Sequence, residues 1–144
     1  MKIILSELKK FLPDLKVEAT NLRDDLTMIR HFTNFFEEIE GETIFDLDIK
    51  VNRGDCLGYY GLARDLAVFY NIELKIPNLI SETKNLIPKY QLPINIKTDN
   101  VTRVMAVKLS DLKNTNSPLW LQTFLKLHGS KSINNIVDLT NYLI

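Results

Sequence analysis

Apolar and polar residues alternate most regularly between Ile44 and Asn52. Phe45, Leu47, Ile49 and Val51 alternate with Asp46, Asp48 and Lys50. This period of two predicts a strand with one buried face, ending at Asn52. The next residues, Asn52 to Asp55, have the composition of a turn, and Asp55 is predicted to act as the N-cap of a following helix.

Apolar and small residues then recur at helical spacing from Leu57 to Tyr70, which predicts that helix. Its small residues Gly61 and Ala63 should let it lie close to a neighbouring element. The turn before it could also bind a phosphate group through Arg53 and the N–H groups at the helix start. Because Asp55 would repel an anion there, the pattern favours a structural turn.

The residues before this unit predict one strand and two helices. Lys2 to Leu5 is predicted as a strand, and Ser6 as the cap of a helix that Pro13 ends after Leu12. A second helix is predicted from Thr20 to Phe36, with an apolar stripe formed by Leu22, Leu26, Ile29 and Phe32 and extended by Phe35 and Phe36. The acidic residues around Gly41 are predicted to form a solvated turn; they are Glu37, Glu38, Glu40 and Glu42.

The chain changes character after residue 75. Lys75 to Lys89 carries two prolines and little periodicity, which is typical of a boundary between two parts. Beyond it, apolar residues alternate from Leu92 to Ile96, and a second apolar run extends from Val101 to Leu109. These two runs predict a β-hairpin that turns at residues 99–100.

The last thirty residues predict two helices. Ser117 as N-cap, Pro118 as first helical residue and Gly129 as the end frame a helix with four predicted inward residues, Leu119, Trp120, Phe124 and Leu127. The final segment sets polar residues among apolar ones; the polar residues are Asn134, Asn135, Asp138, Thr140 and Asn141. If buried, they need partners that a cleft or an interface would supply. The alternative is a capped terminal helix with polar residues on its surface.

Composition and charge narrow the class of protein. The chain of 144 residues is 45% hydrophobic and 25% charged, as expected for a globular protein, and its 18 basic and 18 acidic residues give no sign of strong nonspecific binding to nucleic acid. The single cysteine, Cys56, excludes an internal disulfide and suits a reducing cytoplasm. His31 and His128 lie in no metal-ligand spacing, and no apolar run reaches the roughly 20 residues of a membrane span.

Two groups of residues resemble the β subunit of bacterial phenylalanyl-tRNA synthetases. The first group comprises Asn52, Arg53, Asp55, Cys56, Leu57, Gly61, Ala63 and Arg64, with Gly54 in place of the usual proline. The second comprises Ser117, Pro118, Trp120, Leu121, Leu125, Gly129 and the string from Ile133 to Tyr142. The resemblance implies an α+β fold, with a small strand-helix domain at residues 1–75 and the incomplete start of the mixed α/β editing module at residues 76–144.

The resemblance also implies a function for the parent enzyme. In that family, two α and two β subunits form a cytoplasmic class II ligase that attaches phenylalanine to tRNA(Phe) with ATP and Mg²⁺. The aminoacylation site belongs to the α subunit, and the β subunit hydrolyses tyrosine wrongly attached to the tRNA. This segment is therefore expected to carry no catalytic residue and to bind no metal, ATP or Mg²⁺ by itself.

Within the resemblance, Thr140, Asn141 and Lys131 fall at the rim of the editing pocket. Structural roles fall to Asn52, Arg53, Asp55, Gly61, Arg64, Asn134, Asn135 and Asp138. Two departures stand out: Lys131-Ser132 replaces the usual Arg-Pro, and the OB-fold tRNA-binding domain usually found before the strand at Ile44 is absent.

Two expectations remain open at this point. The incomplete C-terminal part is expected to pair with another copy or to be poorly ordered, since its apolar faces would lack cover. The alternative to a synthetase segment is a free-standing, non-catalytic module that binds protein or RNA.

Overall fold

The computed structural model describes residues 1–76 and 92–143, and their fold is α+β, as predicted. The strands form a small antiparallel sheet, and helices lie between and after them in the sequence. The elements in chain order are β1 (Lys2–Ile4), α1 (Leu5–Phe11), α2 (Ala19–Met28), β2 (Phe32–Ile39), β3 (Glu42–Asp48), a 3₁₀ turn (Gly54–Cys56), α3 (Tyr59–Tyr70), α4 (Leu119–Leu127) and α5 (Asn135–Leu143).

Strand β3 lies at the centre of the sheet, between β1 and β2. One of its faces is buried, and the other is buried at Ile44. On one face, Phe45 and Leu47 belong to the main core with apolar residues of β1, α1, α2 and α3: Ile3, Leu8, Leu12, Leu22, Leu26, Leu62 and Leu66. On the other face, Ile44 packs with Ile4 and with Leu127 of α4. Helix α4 therefore covers, at Ile44, part of the face that the alternating pattern predicted to be exposed to water.

By spatial contact, the chain forms two compact units. One comprises residues 1–77 together with 115–144, and the other comprises residues 78–114. Helices α4 and α5 thus belong to the same unit as the sheet. The domain boundary near residue 75, which rests on the change in sequence pattern and on the family resemblance, stays a prediction.

The predicted helix from Thr20 to Phe36 is wrong in its second half. Helix α2 ends at Met28, and Phe32, Phe35 and Phe36 lie in β2. Pairing with β3 decides this outcome, because Phe36 lies opposite Phe45 with ring centroids 5.6 Å apart. A tertiary contact of this kind outweighs the helical spacing of apolar residues.

Backbone hydrogen bonds end α2 in a Schellman arrangement. The N–H of Arg30 donates to the carbonyl of Thr27 (3.0 Å), and the N–H of His31 donates to that of Leu26 (2.8 Å). Arg30 occupies the position after the helix end where glycine is usual, and its φ is 73°. A side chain with a Cβ is strained in this left-handed conformation.

Replacing Arg30 with glycine is expected to raise the free energy of unfolding by up to about 1 kcal/mol. The gain is the left-handed strain relieved, less the extra chain entropy that glycine adds to the unfolded state. Thermal unfolding followed by circular dichroism checks it. Arg30→Ala is the matched control, since alanine keeps the Cβ and the strain; equal midpoints for the two variants would contradict the assignment.

Strands β2 and β3 are joined by a two-residue turn. Glu40 and Gly41 both have positive φ, 54° and 81°, as a type I′ hairpin requires. The predicted turn around Gly41 is present, but Glu37 and Glu38 belong to β2 and Glu42 belongs to β3.

Two other boundaries differ from the prediction. β3 ends at Asp48, not at Asn52, because the N–H of Arg53 closes a turn onto the carbonyl of Lys50 (2.8 Å). β1 passes directly into α1, whose N-cap is Ile4, so Ser6 does not cap that helix.

The predicted hairpin between Leu92 and Leu109 is wrong. Residues 92–114 contain no strand, and their side chains are exposed. A two-stranded hairpin has only marginal stability in water unless another element covers its apolar face. None of the residues described in that unit provides such cover. The predicted boundary segment from Lys75 to Lys89 lies mostly outside the described residues.

Candidate functional site

Asp55 does not cap α3. The helix begins at Tyr59 with Gly58 as its N-cap, and Asp55 lies in the preceding 3₁₀ turn. Its carboxylate instead accepts hydrogen bonds from Arg53 Nε (3.0 Å) and from Arg64 of α3. The hydrogen bond from Arg53, followed by that from Arg64, holds the pKa of Asp55 well below its usual range despite the opposing effect of desolvation.

Arg53 joins this turn to α3. Its Nη2 donates to Asp65 Oδ2 of α3 at 2.5 Å, and His31, which follows α2, contacts the same oxygen through Nε2 at 2.9 Å. Burial raises the pKa of Asp65, but the hydrogen bonds from Arg53 and His31 outweigh it, so the net pKa is lowered. The pKa of Arg53 is raised, mainly by its bond to Asp55.

Three potential metal ligands lie together in this cluster. Ligand atoms of His31, Cys56 and Asp65 are within 4.8 Å of one another. The guanidinium of Arg53 already lies among them, 2.9 Å from Cys56 Sγ, and burial raises the pKa of that thiol to about 11. Since metal ions bind the thiolate, and a fixed cation repels another, the arrangement does not suit a divalent metal.

Gly61 brings α3 against the 3₁₀ turn. A Cβ built on Gly61 would lie 1.8 Å from the backbone oxygen of Asp55. No residue other than glycine fits at that distance, because the backbones of α3 at Gly61 and of the 3₁₀ turn at Asp55 are in close contact. The neighbouring Ala63 is also buried, in agreement with the predicted close approach.

A second cluster forms around Asp138 of α5, whose side chain is completely buried. Its carboxylate accepts hydrogen bonds from the hydroxyls of Ser117 and Ser132, both at 2.5 Å, and from the backbone N–H of Ile133 at 2.8 Å. Burial raises the pKa of Asp138, but the hydrogen bonds led by Ser117 and Ser132 outweigh it and lower the net pKa. One carboxylate thus ties both ends of the α4 region to α5.

The two asparagines before Asp138 have separate partners. Asn134 Oδ1 accepts from the N–H groups of Ile136 (3.1 Å) and Val137 (3.0 Å), which caps α5. Asn135 accepts from the N–H of Thr115 at 3.1 Å. The polar residues of this segment therefore divide between a helix cap, a loop contact and a buried hub.

Helix α4 differs from its prediction at the start and agrees at the end. Pro118 is the N-cap, and Ser117 binds Asp138 instead of capping. Leu119 and Trp120, predicted to face inward, are 77% and 57% exposed, because the buried face is set by Leu121, Leu125 and Leu127. Gly129 has a φ of 80°, as its predicted position after the helix requires.

A contact between Tyr59 and His128 holds α4 to the sheet, and no sequence pattern pointed to it. The Tyr59 hydroxyl lies 2.7 Å from His128 Nε2 and accepts from the N–H of Ile4 at 2.9 Å. His128 Nδ1 lies 2.8 Å from the carbonyl of Phe124. A neutral ring with its proton on Nδ1 satisfies every one of these contacts. The partners are 69 residues apart in sequence, which is why spacing could not reveal them.

The three residues assigned to the editing rim do not share one depression. Asn141 lines a cleft of about 300 Å³ with Tyr59, His128 and other residues. Lys131 lines a separate depression. Thr140 is exposed on α5, and its hydroxyl donates to the carbonyl of Val137 at 2.6 Å.

Comparison with known proteins agrees with the resemblance seen in both clusters. Residues 100–144 match the B3/4 domain family. The chain is 36% identical over 132 residues, 91% of its length, to the phenylalanine–tRNA ligase β subunit of Rhodopirellula baltica. The β subunits of Bdellovibrio bacteriovorus and Fusobacterium nucleatum are 36% and 37% identical over 72% of the chain.

The chain is a relative of phenylalanine–tRNA ligase β subunits. It spans 19% of the R. baltica β subunit and 13% of each of the other two. No solved structure matches the chain. Among the described residues, no helix is both long and apolar enough to cross a bilayer.

We expect the protein to be less stable in acid than at neutral pH. The folded pKa values of Asp55, Asp65 and Asp138 are lowered, so their stabilisation is complete above the unfolded value of about 4 and is lost as pH falls through the folded values. Thermal midpoints measured between pH 7 and pH 2 should stay level to about pH 5 and then fall. Asp138→Asn should flatten the acid limb; a midpoint that rises on acidification would contradict the assignment.

Proposed function

We propose that the chain is a portion of a phenylalanine–tRNA ligase β subunit, which acts with an α subunit to attach phenylalanine to tRNA(Phe). The observation that carries the proposal is the match to β subunits over 91% of the chain. Both residue groups of the resemblance support it, because each forms a connected network here: one around Arg53 and one around Asp138. No observation favours the free-standing module.

In this proposal the chain supplies structure, and the α subunit supplies the aminoacylation site with ATP and Mg²⁺ of a cytoplasmic class II enzyme. The described residues do not fit a Mg²⁺ site at the cluster of neighbouring carboxylates, because Asp55 and Asp65 are both paired with Arg53. The residues from about 76 onward belong to the start of the editing module. The chain by itself is not catalytic.

The proposed contribution to editing is positional. Thr140 and Asn141 lie on consecutive positions of α5, which Asp138 and the Asn134 cap anchor at its first turn. We place their exposed hydroxyl and amide groups at the rim where the misacylated end of the tRNA is oriented. Lys131 takes the place of a family arginine there and provides one point charge instead of a planar pair of donors.

Affinity capture tests the assignment. The tagged chain, expressed in its source cells, should retain the phenylalanine–tRNA ligase α subunit, identified by mass spectrometry. A Gly61→Ala variant serves as the control for specific folding. Recovery of other proteins without the α subunit would contradict the proposal.

A further inference from the structure

A basic depression of about 440 Å³ lies beside the end of α2. Its lining residues are Thr27, Arg30, Phe32, Lys50, Asn52 and Arg53. Three of the six are cationic and none is acidic, although the whole chain has equal numbers of basic and acidic residues. Positive charge is therefore concentrated here locally, with an aromatic ring among the cations.

The fold builds this basic depression from three chain segments. Arg30 follows the C-terminus of α2, and Phe32 is the first residue of β2. Lys50 and Arg53 are the first and last residues of the turn after β3, closed by their backbone hydrogen bond. Arg30 is kept in the left-handed conformation where glycine would be relaxed, an observation that fits a requirement for its side chain.

The carboxylates near the basic depression neutralise it only in part. Arg53 pairs with Asp55 and Asp65. Lys50 is 3.9 Å from Asp48, and both side chains are about 60% exposed, so this contact is weak. Arg30 has no ion pair among the residues described. Two cations are thus available to an anionic partner.

Phe32 identifies the kind of partner. The residue is 52% exposed, and its ring has no aromatic or cationic partner among the described residues. A phosphate ion or an acidic peptide gains no stacking contact from such a ring. An unpaired nucleobase stacks on it while cations bind the adjacent phosphates. Asn52 adds an exposed amide that can hydrogen-bond to a base edge.

We propose that the basic depression binds a single-stranded segment of RNA, with Phe32 stacking on a base and Arg30 and Lys50 contacting phosphates. The proposal rests on the proposed function for its choice of RNA, since tRNA is the polyanion that this function supplies. It assigns an RNA contact to the sheet-bearing unit.

The test is fluorescence polarisation of a labelled ten-nucleotide single-stranded RNA with the 144-residue chain at several salt concentrations. Phe32→Ala should weaken binding roughly tenfold at constant salt slope. Lys50→Ala and Arg30→Ala should each lower the slope of log affinity against log salt by about one. Phe35→Ala, an exposed ring on the same strand, and Lys16→Ala, an exposed cation elsewhere, are the matched controls and should bind like the unaltered chain.

Arg30→Gly separates binding from folding, because it should weaken RNA binding while raising the thermal midpoint. Absence of RNA binding by the unaltered chain, or equal effects of Phe32→Ala and Phe35→Ala, would overturn the proposal. So would competition by polyphosphate of equal charge that is as strong as competition by unlabelled RNA. If RNA binding fails in one of these ways while the chain still captures the α subunit, the RNA site is wrong and the proposed function stands. If RNA binding depends on Phe32 but the α subunit is not captured, the RNA site stands and the proposed function is wrong.

Discussion

Gly61→Ala is expected to lower the free energy of unfolding by about 3 kcal/mol or more. The new Cβ would overlap the backbone oxygen of Asp55 at 1.8 Å and would also lie 2.7 Å from its carbonyl carbon. Neither atom belongs to a flexible side chain that could rotate away. Helix α3 and the 3₁₀ turn would have to separate.

That separation would also disturb the ion pairs that join the same two elements. Arg53 reaches Asp65 of α3 from the turn, and Arg64 of α3 reaches Asp55 in the turn. Urea unfolding followed by circular dichroism measures the loss. The matched control is Gly54→Ala in the same turn, where a Cβ meets nothing within 4 Å; it should be neutral or slightly stabilising. Equal stability of the two variants would refute the close backbone contact.

Asp138→Ala is expected to release α5 and the start of α4 from each other. The substitution leaves the buried hydroxyl of Ser117 without its acceptor, together with the hydroxyl of Ser132 and the N–H of Ile133. Buried donors without partners are costly. Amide hydrogen exchange in α5 should accelerate roughly ten- to a hundredfold, while the amides of β3 should change less.

Two further variants separate the loss of the hydrogen bonds to Asp138 from a general effect of lost charge. Ser132→Ala removes one of the three donors and should accelerate exchange less than Asp138→Ala. Asp14→Ala removes an exposed carboxylate and should leave exchange in α5 unchanged. Uniform acceleration across β3 and α5 in Asp138→Ala would show that the carboxylate supports the whole unit and not this junction.

Local sequence rules predicted those features whose cause lies within a few residues. Helix α3 follows from its spacing of apolar residues, and the end of α4 follows from Gly129. The close approach at Gly61 was predicted as a small-residue contact, but its partner was not, because Asp55 was expected to cap α3. In the structure, Arg53 and Arg64 donate to the carboxylate of Asp55, and Gly58 is the N-cap of α3.

Long-range pairing explains the other differences. Phe32, Phe35 and Phe36 fit a helix by spacing alone, yet they form β2 because β3 offers hydrogen bonds along its edge. The face of β3 that its sequence pattern predicts to be solvent-exposed is covered at Ile44 by Leu127, a residue more than eighty positions away. In the candidate site, the two alternatives for the polar residues of α5 each hold for some of them: Asp138 is buried, whereas Asn134 caps the helix and Thr140 and Asn141 are exposed. The hydroxyl partners of Asp138, Ser117 and Ser132, are brought to it only by the fold.

The most direct test of the proposed function is immunodepletion of an extract from the source cells with an antibody raised against this chain. We predict that the depleted extract no longer charges tRNA(Phe) with phenylalanine, while charging of a leucine tRNA continues unchanged. Full phenylalanine charging after complete removal of the protein would contradict its place in a phenylalanine–tRNA ligase.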